Sequence, residues 1–195
     1  MKKILAVYVY QQLNAVLVSL YLLQLLRIGE LFILQIFYLG LLVLSLHTYH
    51  KKESIICTPA KRRFKWLCIG LVALILVSFI LSIFHSSIPN NQANLIQAQK
   101  QVPAFSFLLF LVNASVVEEF FYRGLLWKFI SKLDVRFALT TVLFALVHHP
   151  TSITFWCLYG FMGLVLALVR YKTDLIGSVG LHLIWNVLVF VILVQ

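Results

Sequence analysis

The chain has 195 residues, 62% of them hydrophobic and only 11% charged, and its mean hydropathy is +0.98. Soluble domains run at about 45–50% apolar and about 25% charged, which excludes a soluble globular domain. The class is all-α, a polytopic helical membrane protein, because a β-barrel would alternate in segments of about ten residues and the apolar runs here are continuous. The net charge of +10 lies almost entirely between those runs, a topology signal that leaves nucleic acid out as a partner.

Taken in chain order, about seven apolar segments can be drawn, roughly 4–26, 31–47, 66–84, 104–130, 134–149, 153–170 and 175–194. Each is close to the ~20 residues that a helical span needs. The first begins like a signal peptide but runs too long and has no small-x-small cleavage site, so it reads as a retained span. Residues 48–65 form a basic loop and 85–103 a polar, nearly neutral one. No repeat or second domain interrupts 1–195, which reads as one integral membrane domain with accessory helices at 4–84 and site-bearing helices at 104–194.

With the N-terminus in the cytoplasm, the inner side holds Lys2, Lys3, Lys51, Lys52, Lys61, Arg62, Arg63, Lys65, Lys128, Lys132, Arg136, Arg170 and Lys172. The outer side holds only Arg27 and Lys100, so the positive-inside rule sets the orientation. Trp66, Trp127 and Trp156 fall near span ends, as interfacial belt residues do. Gly160, Gly163, Ala167, Gly177 and Gly180 read as points of close helix packing. Cys57, Cys68 and Cys157 have no metal-site or disulfide spacing and read as filler.

Few ionisable groups remain inside the spans: Glu118, Glu119, Arg123, His148, His149 and His182, with Asn186 and Ser178 as polar companions. A charge at a helix centre costs about 2.5–3.5 kcal/mol on insertion scales, so such a cluster calls for a function. Glu118 lies 15 residues before Leu133, the centre of a predicted hairpin turn, and His148 lies 15 after it. At 1.5 Å per residue both are about 22 Å of helix from the turn. His182 and Asn186 share a face at i, i+4. Glu119 and Arg123 have the favoured acid-first i, i+4 order of an ion pair. That leaves Glu118 without its own cation and suited to act as a general base on water, with histidine and Asn186 placed to stabilise an oxyanion. One of His148 and His149 belongs to this site; His47, His50 and His85 lie at span ends.

In order and spacing, these residues resemble the signatures of the CPBP family, the CAAX protease and bacteriocin-processing (Abi) intramembrane proteases. EExxxR appears as Glu118, Glu119 and Arg123 followed by Gly124, FxxxH as Phe144 to His148, and HxxxN/D as His182 to Asn186. The resemblance covers about residues 104–194. It implies that Glu118 is the water-activating base, selects His148 over His149, and puts His182 and Asn186 in the active site. It also implies a membrane-associated peptide or protein substrate. The chain is shorter than the eukaryotic prenyl-protein processors, which favours the bacterial branch of the family and a bacterial plasma membrane.

Glu118, His148 and His182 are also candidates for a two-His-one-carboxylate zinc site. No HExxH is present, and a metal would occupy the carboxylate that otherwise serves as base, so metal-free glutamate catalysis is the favoured expectation. The reading is therefore an intramembrane endopeptidase whose cavity opens to the cytoplasm or laterally to lipid. The alternative is a non-proteolytic membrane protein of the same fold, such as a bacteriocin immunity factor. A proton-coupled transporter is a third reading, although the broken helices common in carriers are missing from the pattern.

Overall fold

The computed structural model describes residues 2–53, 58–84 and 90–193, with side chains described over 12–49, 58–84 and 93–192. Its elements are α1 (Lys2–Leu22), α2 (Ile28–Glu53), α3 (Ala60–Phe84), α4 (Asn90–Gln101), α5 (Ala104–Phe129), α6 (Leu133–Val147), α7 (Ile153–Lys172) and α8 (Leu175–Leu193). No strand occurs among the described residues. Helices are the form these apolar runs must take in lipid, because each then satisfies its own backbone polar groups. Cys57, His50, His85 and the lysines at 2, 3, 51 and 52 lie outside the residues whose side chains are described.

Local chemistry sets the helix ends. Pro59 and Pro103 immediately precede α3 and α5, where a missing N–H costs nothing. Ser152 accepts from the Phe155 N–H at 3.3 Å and caps α7. The α6 helix stops where His149 adopts a positive φ of 49° just before Pro150. Asp174 caps α8 by accepting from the Gly177 N–H at 3.0 Å.

Five helices are long and apolar enough to span a membrane among the described residues: α2, α3, α5, α7 and α8. The chain is a multi-pass membrane protein. The described side chains of α1, Gln12–Leu22, form a shorter apolar stretch, and α6, with 15 residues, is about 22 Å long. Residues 90–101 depart from the expected loop. They form α4, whose Leu95 and Ala98 pack at helical spacing against a cluster containing Val102, Phe107 and Leu111.

The α5 helix is the hub: 56% of its span is buried against 11% for α3. On one side it meets α6, α7, α8 and α3 through a core that includes Phe121, Tyr122, Phe144, Leu166, Leu181 and Leu74. On the other it meets α2 through Val116, Val117, Tyr38 and Leu42. Polar tethers hold α1 and α2 to this side of α5. Asn14 donates to the Phe110 carbonyl at 3.0 Å, Gln35 to that of Ser106 at 3.0 Å, and Asn113 to that of Gln35 at 3.3 Å. Interhelical bonds of this kind contribute about 0.6–2 kcal/mol each in lipid. Outward-facing Ile33, Phe37, Phe79 and Ile83 form an apolar exterior.

The expected packing glycines divide. A methyl on Gly163 would meet the Thr141 backbone at 3.2 Å, so α6 and α7 approach closely there, whereas Gly160 faces open space. Trp127 is not an interfacial anchor but is buried, with the Arg170 and Arg136 guanidinium carbons 5.5 and 5.9 Å from its ring.

At the end of the bundle carrying the basic residues, Arg63 donates from Nε and Nη2 to Asp174 Oδ2 at 2.8 and 2.6 Å, joining α3 to the α7–α8 junction. Burial alone would raise the Asp174 carboxyl. The Arg63 guanidinium, the Gly177 N–H and the Thr58 hydroxyl outweigh it and hold the group below its ordinary value. A depressed carboxyl stabilises the fold fully above its unfolded pKa of about 3.9 and loses that contribution as pH falls through its folded value. The Tm gap between detergent-solubilised wild type and Asp174→Asn should therefore be constant from neutral pH to about pH 5 and close below about pH 4. A gap that persists into acid would show that the pair contributes nothing through ionisation.

Candidate active site

The two adjacent glutamates have separate environments. Glu119 is fully buried, and its Oε1 accepts from Arg123 Nη1 at 2.7 Å and from His182 Nδ1 at 3.1 Å. Arg123, also fully buried, donates from Nη2 to the Gly163 carbonyl on α7 at 2.8 Å. Its guanidinium carbon lies 4.7 Å from the centre of the Phe144 ring on α6. The expected Glu119–Arg123 pair is thus present, and it ties α5, α6, α7 and α8 together.

The stretch Phe120–Leu126 of α5 is π-helical. Such widened turns recur at functional sites. Two of its carbonyls accept from neighbouring helices: that of Arg123 from Arg170 Nε at 3.0 Å, and that of Gly124 from the Tyr49 hydroxyl at 3.0 Å.

Glu118 is half-buried, and its Oε2 is buried without a hydrogen-bond partner. It is close enough to Arg123 and His148 to act on both electrostatically. His148 caps α6, and its Nδ1 lies 2.7 Å from the Phe144 carbonyl. A carbonyl only accepts, so Nδ1 carries the proton and Nε2 of the neutral ring carries the lone pair. Tyr159 stacks on this imidazole with centroids 4.5 Å apart, and Phe144 lies 4.6 Å away. His149 is exposed.

His182 is buried, edge-on to Phe144 at 5.6 Å, and bonded to Glu119 rather than to Glu118. By the same argument its Nδ1 donates, and in the neutral ring Nε2 carries the lone pair. Asn186 Nδ2 donates to the Ser115 hydroxyl at 2.9 Å, which in turn donates to the Leu111 carbonyl at 2.8 Å. The expected single convergence of Glu, His, His and Asn is therefore two adjoining groups. Glu119, Arg123 and His182 make one, and Glu118 with His148 the other, with Phe144 packed against both histidines. Ser178, the remaining polar companion, donates to the Leu175 carbonyl.

Ser115, Tyr159 and the Gly163 carbonyl escaped sequence reasoning. Ser115 alone carries a usable signal, lying one turn before Glu119 on the same face. Among the described residues no three His, Cys, Asp or Glu side chains are grouped to hold a metal ion, so Glu118, His148 and His182 do not form a ready three-ligand set. Breaking a buried pair strands a charge at a cost of about 3–5 kcal/mol. Arg123→Met should lower unfolding stability in detergent by that order, and adding Glu119→Gln should recover much of it. Strictly additive losses would overturn the coupling.

Comparison with known proteins bears on the same region. A family model described as "Type II CAAX prenyl endopeptidase Rce1-like" matches residues 100–188. The UPF0177 protein YvdC of Lactococcus lactis subsp. lactis is 33% identical over 162 residues, covering 78% of this chain and 62% of that protein. The chain thus spans less than two thirds of that relative's length. No solved structure matches. Motif order, their placement on α5, α6 and α8, and the match over residues 100–188 agree, and through that segment, a little under half of its length, the chain is similar to the Rce1-like endopeptidase family.

Proposed function

We propose that this protein is an intramembrane endopeptidase of the bacterial plasma membrane. On this reading it hydrolyses a peptide bond of a membrane-associated peptide or protein, using Glu118 as the base. The observation that carries the reading is the division between the two glutamates. Glu119 is already engaged by Arg123 and His182. Both carboxylates have an unpartnered Oε2, but only Glu118 has no hydrogen bond or ion pair at either oxygen among the described residues, and it lies beside an imidazole whose Nδ1 is spoken for. A structural carboxylate at this depth would be paired; one that handles a proton needs an open lone pair.

In this mechanism Glu118 takes a proton from water as the oxygen attacks the scissile carbonyl carbon. His148 Nε2 accepts the water's second hydrogen bond and holds it in line. The carbonyl oxygen becomes an oxyanion, and the Asn186 N–H not engaged by Ser115 donates to it. His182, held by Glu119, lies one turn before Asn186 and completes that side of the site. Collapse breaks the C–N bond, and the proton on Glu118 passes to the leaving amine. No step is routed through a metal, because the donor set lacks a grouped third ligand.

The second reading is a peptide-binding protein of the same fold that confers bacteriocin immunity without cleavage. It is favoured by the small catalytic half and by the relation to a bacterial protein. Both readings are separated by reconstituting the protein in liposomes with a panel of apolar peptides. Glu118→Gln should lower kcat/KM by about 10²–10⁴-fold, the usual yield of a positioned general base, while leaving the unfolding midpoint in place. Cleavage by Glu118→Gln at the wild-type rate would remove Glu118 from the mechanism. Binding without cleavage by the wild type would favour the immunity reading.

A further inference from the structure

A cavity of about 330 Å³ adjoins the site, with His148 and Asn186 in its wall. That is within the range of about 300–1,000 Å³ typical of ligand sites. Its position in the bundle is informative. The wall draws on the C-terminal half of α3 (Leu74 to Ser82), on α4 (Leu95, Ile96, Gln99), the first turns of α5 (Phe107, Leu111) and α7, and the C-terminal half of α8. These are the ends remote from Lys61, Arg62, Arg63, Lys65, Lys128, Lys132, Arg136, Arg170 and Lys172. The cavity therefore extends from His148 and Asn186 toward the poorly charged end of the bundle, away from the basic end expected in the cytoplasm. Of the two openings that the sequence suggested, to the cytoplasm or laterally to lipid, this direction speaks against the first.

The lining carries no Asp, Glu, Lys or Arg. It is mostly apolar, yet Ser78, Ser82, Gln99, Thr154 and Asn186 punctuate it. The Ser78 hydroxyl is buried without a hydrogen-bond partner. A buried hydroxyl left unpaired is destabilising, a cost that a ligand bearing N–H and C=O groups removes and a hydrocarbon chain cannot. The α4 helix sets Leu95, Ile96 and Gln99 in the wall and leaves Asn94, Gln97, Lys100 and Gln101 exposed, so it forms a wet threshold to an apolar space.

We propose that this cavity is the substrate subsite, that its occupant is an uncharged, apolar segment of peptide, and that the peptide enters past α4 from the non-cytoplasmic side. The fate of the bound segment rests on the endopeptidase reading, whereas entry and occupancy need no cleavage. Side chains of the segment fill the space between Phe107, Phe155, Trp185 and Phe190, and backbone groups meet Ser78 and Asn186.

The test uses proteoliposomes and cells expressing the full chain with Cys57, Cys68 and Cys157 changed to Ser. In intact cells, a membrane-impermeant maleimide should label Ser82→Cys and Gln99→Cys. Labelling seen only in inverted vesicles would overturn the sidedness. The binding probe is a dansylated leucine-rich undecapeptide, with energy transfer from Trp185 as the signal and Trp185→Phe as its control. Binding should saturate, and it should fall about threefold to tenfold in Ser78→Ala, as for one lost hydrogen bond. It should be abolished when Gln99→Cys carries a bulky maleimide. Farnesol serves as the hydrocarbon arm. If farnesol binds and the peptide does not, or if Ser78→Ala leaves peptide affinity unchanged, the occupant is not a peptide. All binding is measured in parallel in Glu118→Gln, so a failure of proteolysis is read separately from a failure of entry.

Discussion

The fold turns on a single ion pair held where no water reaches it. Glu119 and Arg123 are both fully buried, and the pair's further contacts reach three different helices, His182 on α8, the Gly163 carbonyl on α7 and the Phe144 ring on α6, while Glu119 Oε2 and Arg123 Nε stay unpartnered. Buried charges repay their desolvation only when the geometry is good and the spare donors and acceptors are matched. That requirement explains the close α6–α7 approach at Gly163, which brings its carbonyl within reach. It also explains why Phe144 must be aromatic and dry. The pair is costly, and the arrangement around it is what makes it tolerable.

Once Glu119 is committed in this way, the neighbouring carboxylate is left for other work. Two consecutive residues on a helix point about 100° apart, so one faces the packed centre and the other the half-buried margin near His148. The histidines follow the same division. Each gives its Nδ1 proton to a fixed acceptor, the Phe144 carbonyl for His148 and the Glu119 carboxylate for His182, and each therefore presents Nε2. Tautomers fixed by a second partner are a recurring device wherever a ring nitrogen must be available.

Much of this is legible in the sequence, and the parts that are not have physical reasons. The ion pair follows from i, i+4 spacing, and the helical class from unbroken apolar runs. Which glutamate His182 binds does not follow, because it depends on the rotation of α5, and the π-helical turns from Phe120 to Leu126 alter that rotation with little local signal beyond Gly124. The Ser115–Asn186 bond joins residues 71 apart and cannot be found from either neighbourhood. The α4 helix was hidden by its Asn and Gln content; it forms because Leu95 and Ala98 find a surface, and propensity alone does not show that surface. The direction of the cavity is a tertiary property, set by which helix ends splay.

The α6 helix adds one further consequence. At about 22 Å for its 15 residues, it falls short of a hydrocarbon layer of about 30 Å. It ends at His148, with an exposed His149 and Pro150 beyond. A bilayer meeting a short helix thins or admits headgroups and water at the deficient end. The deficiency brings the wet boundary inward by roughly 8 Å, the difference between those two lengths, at the level of the half-buried carboxylate. Hydration at this depth thus requires neither a pore nor a moving gate; it is supplied by a helix that is about one and a half turns too short.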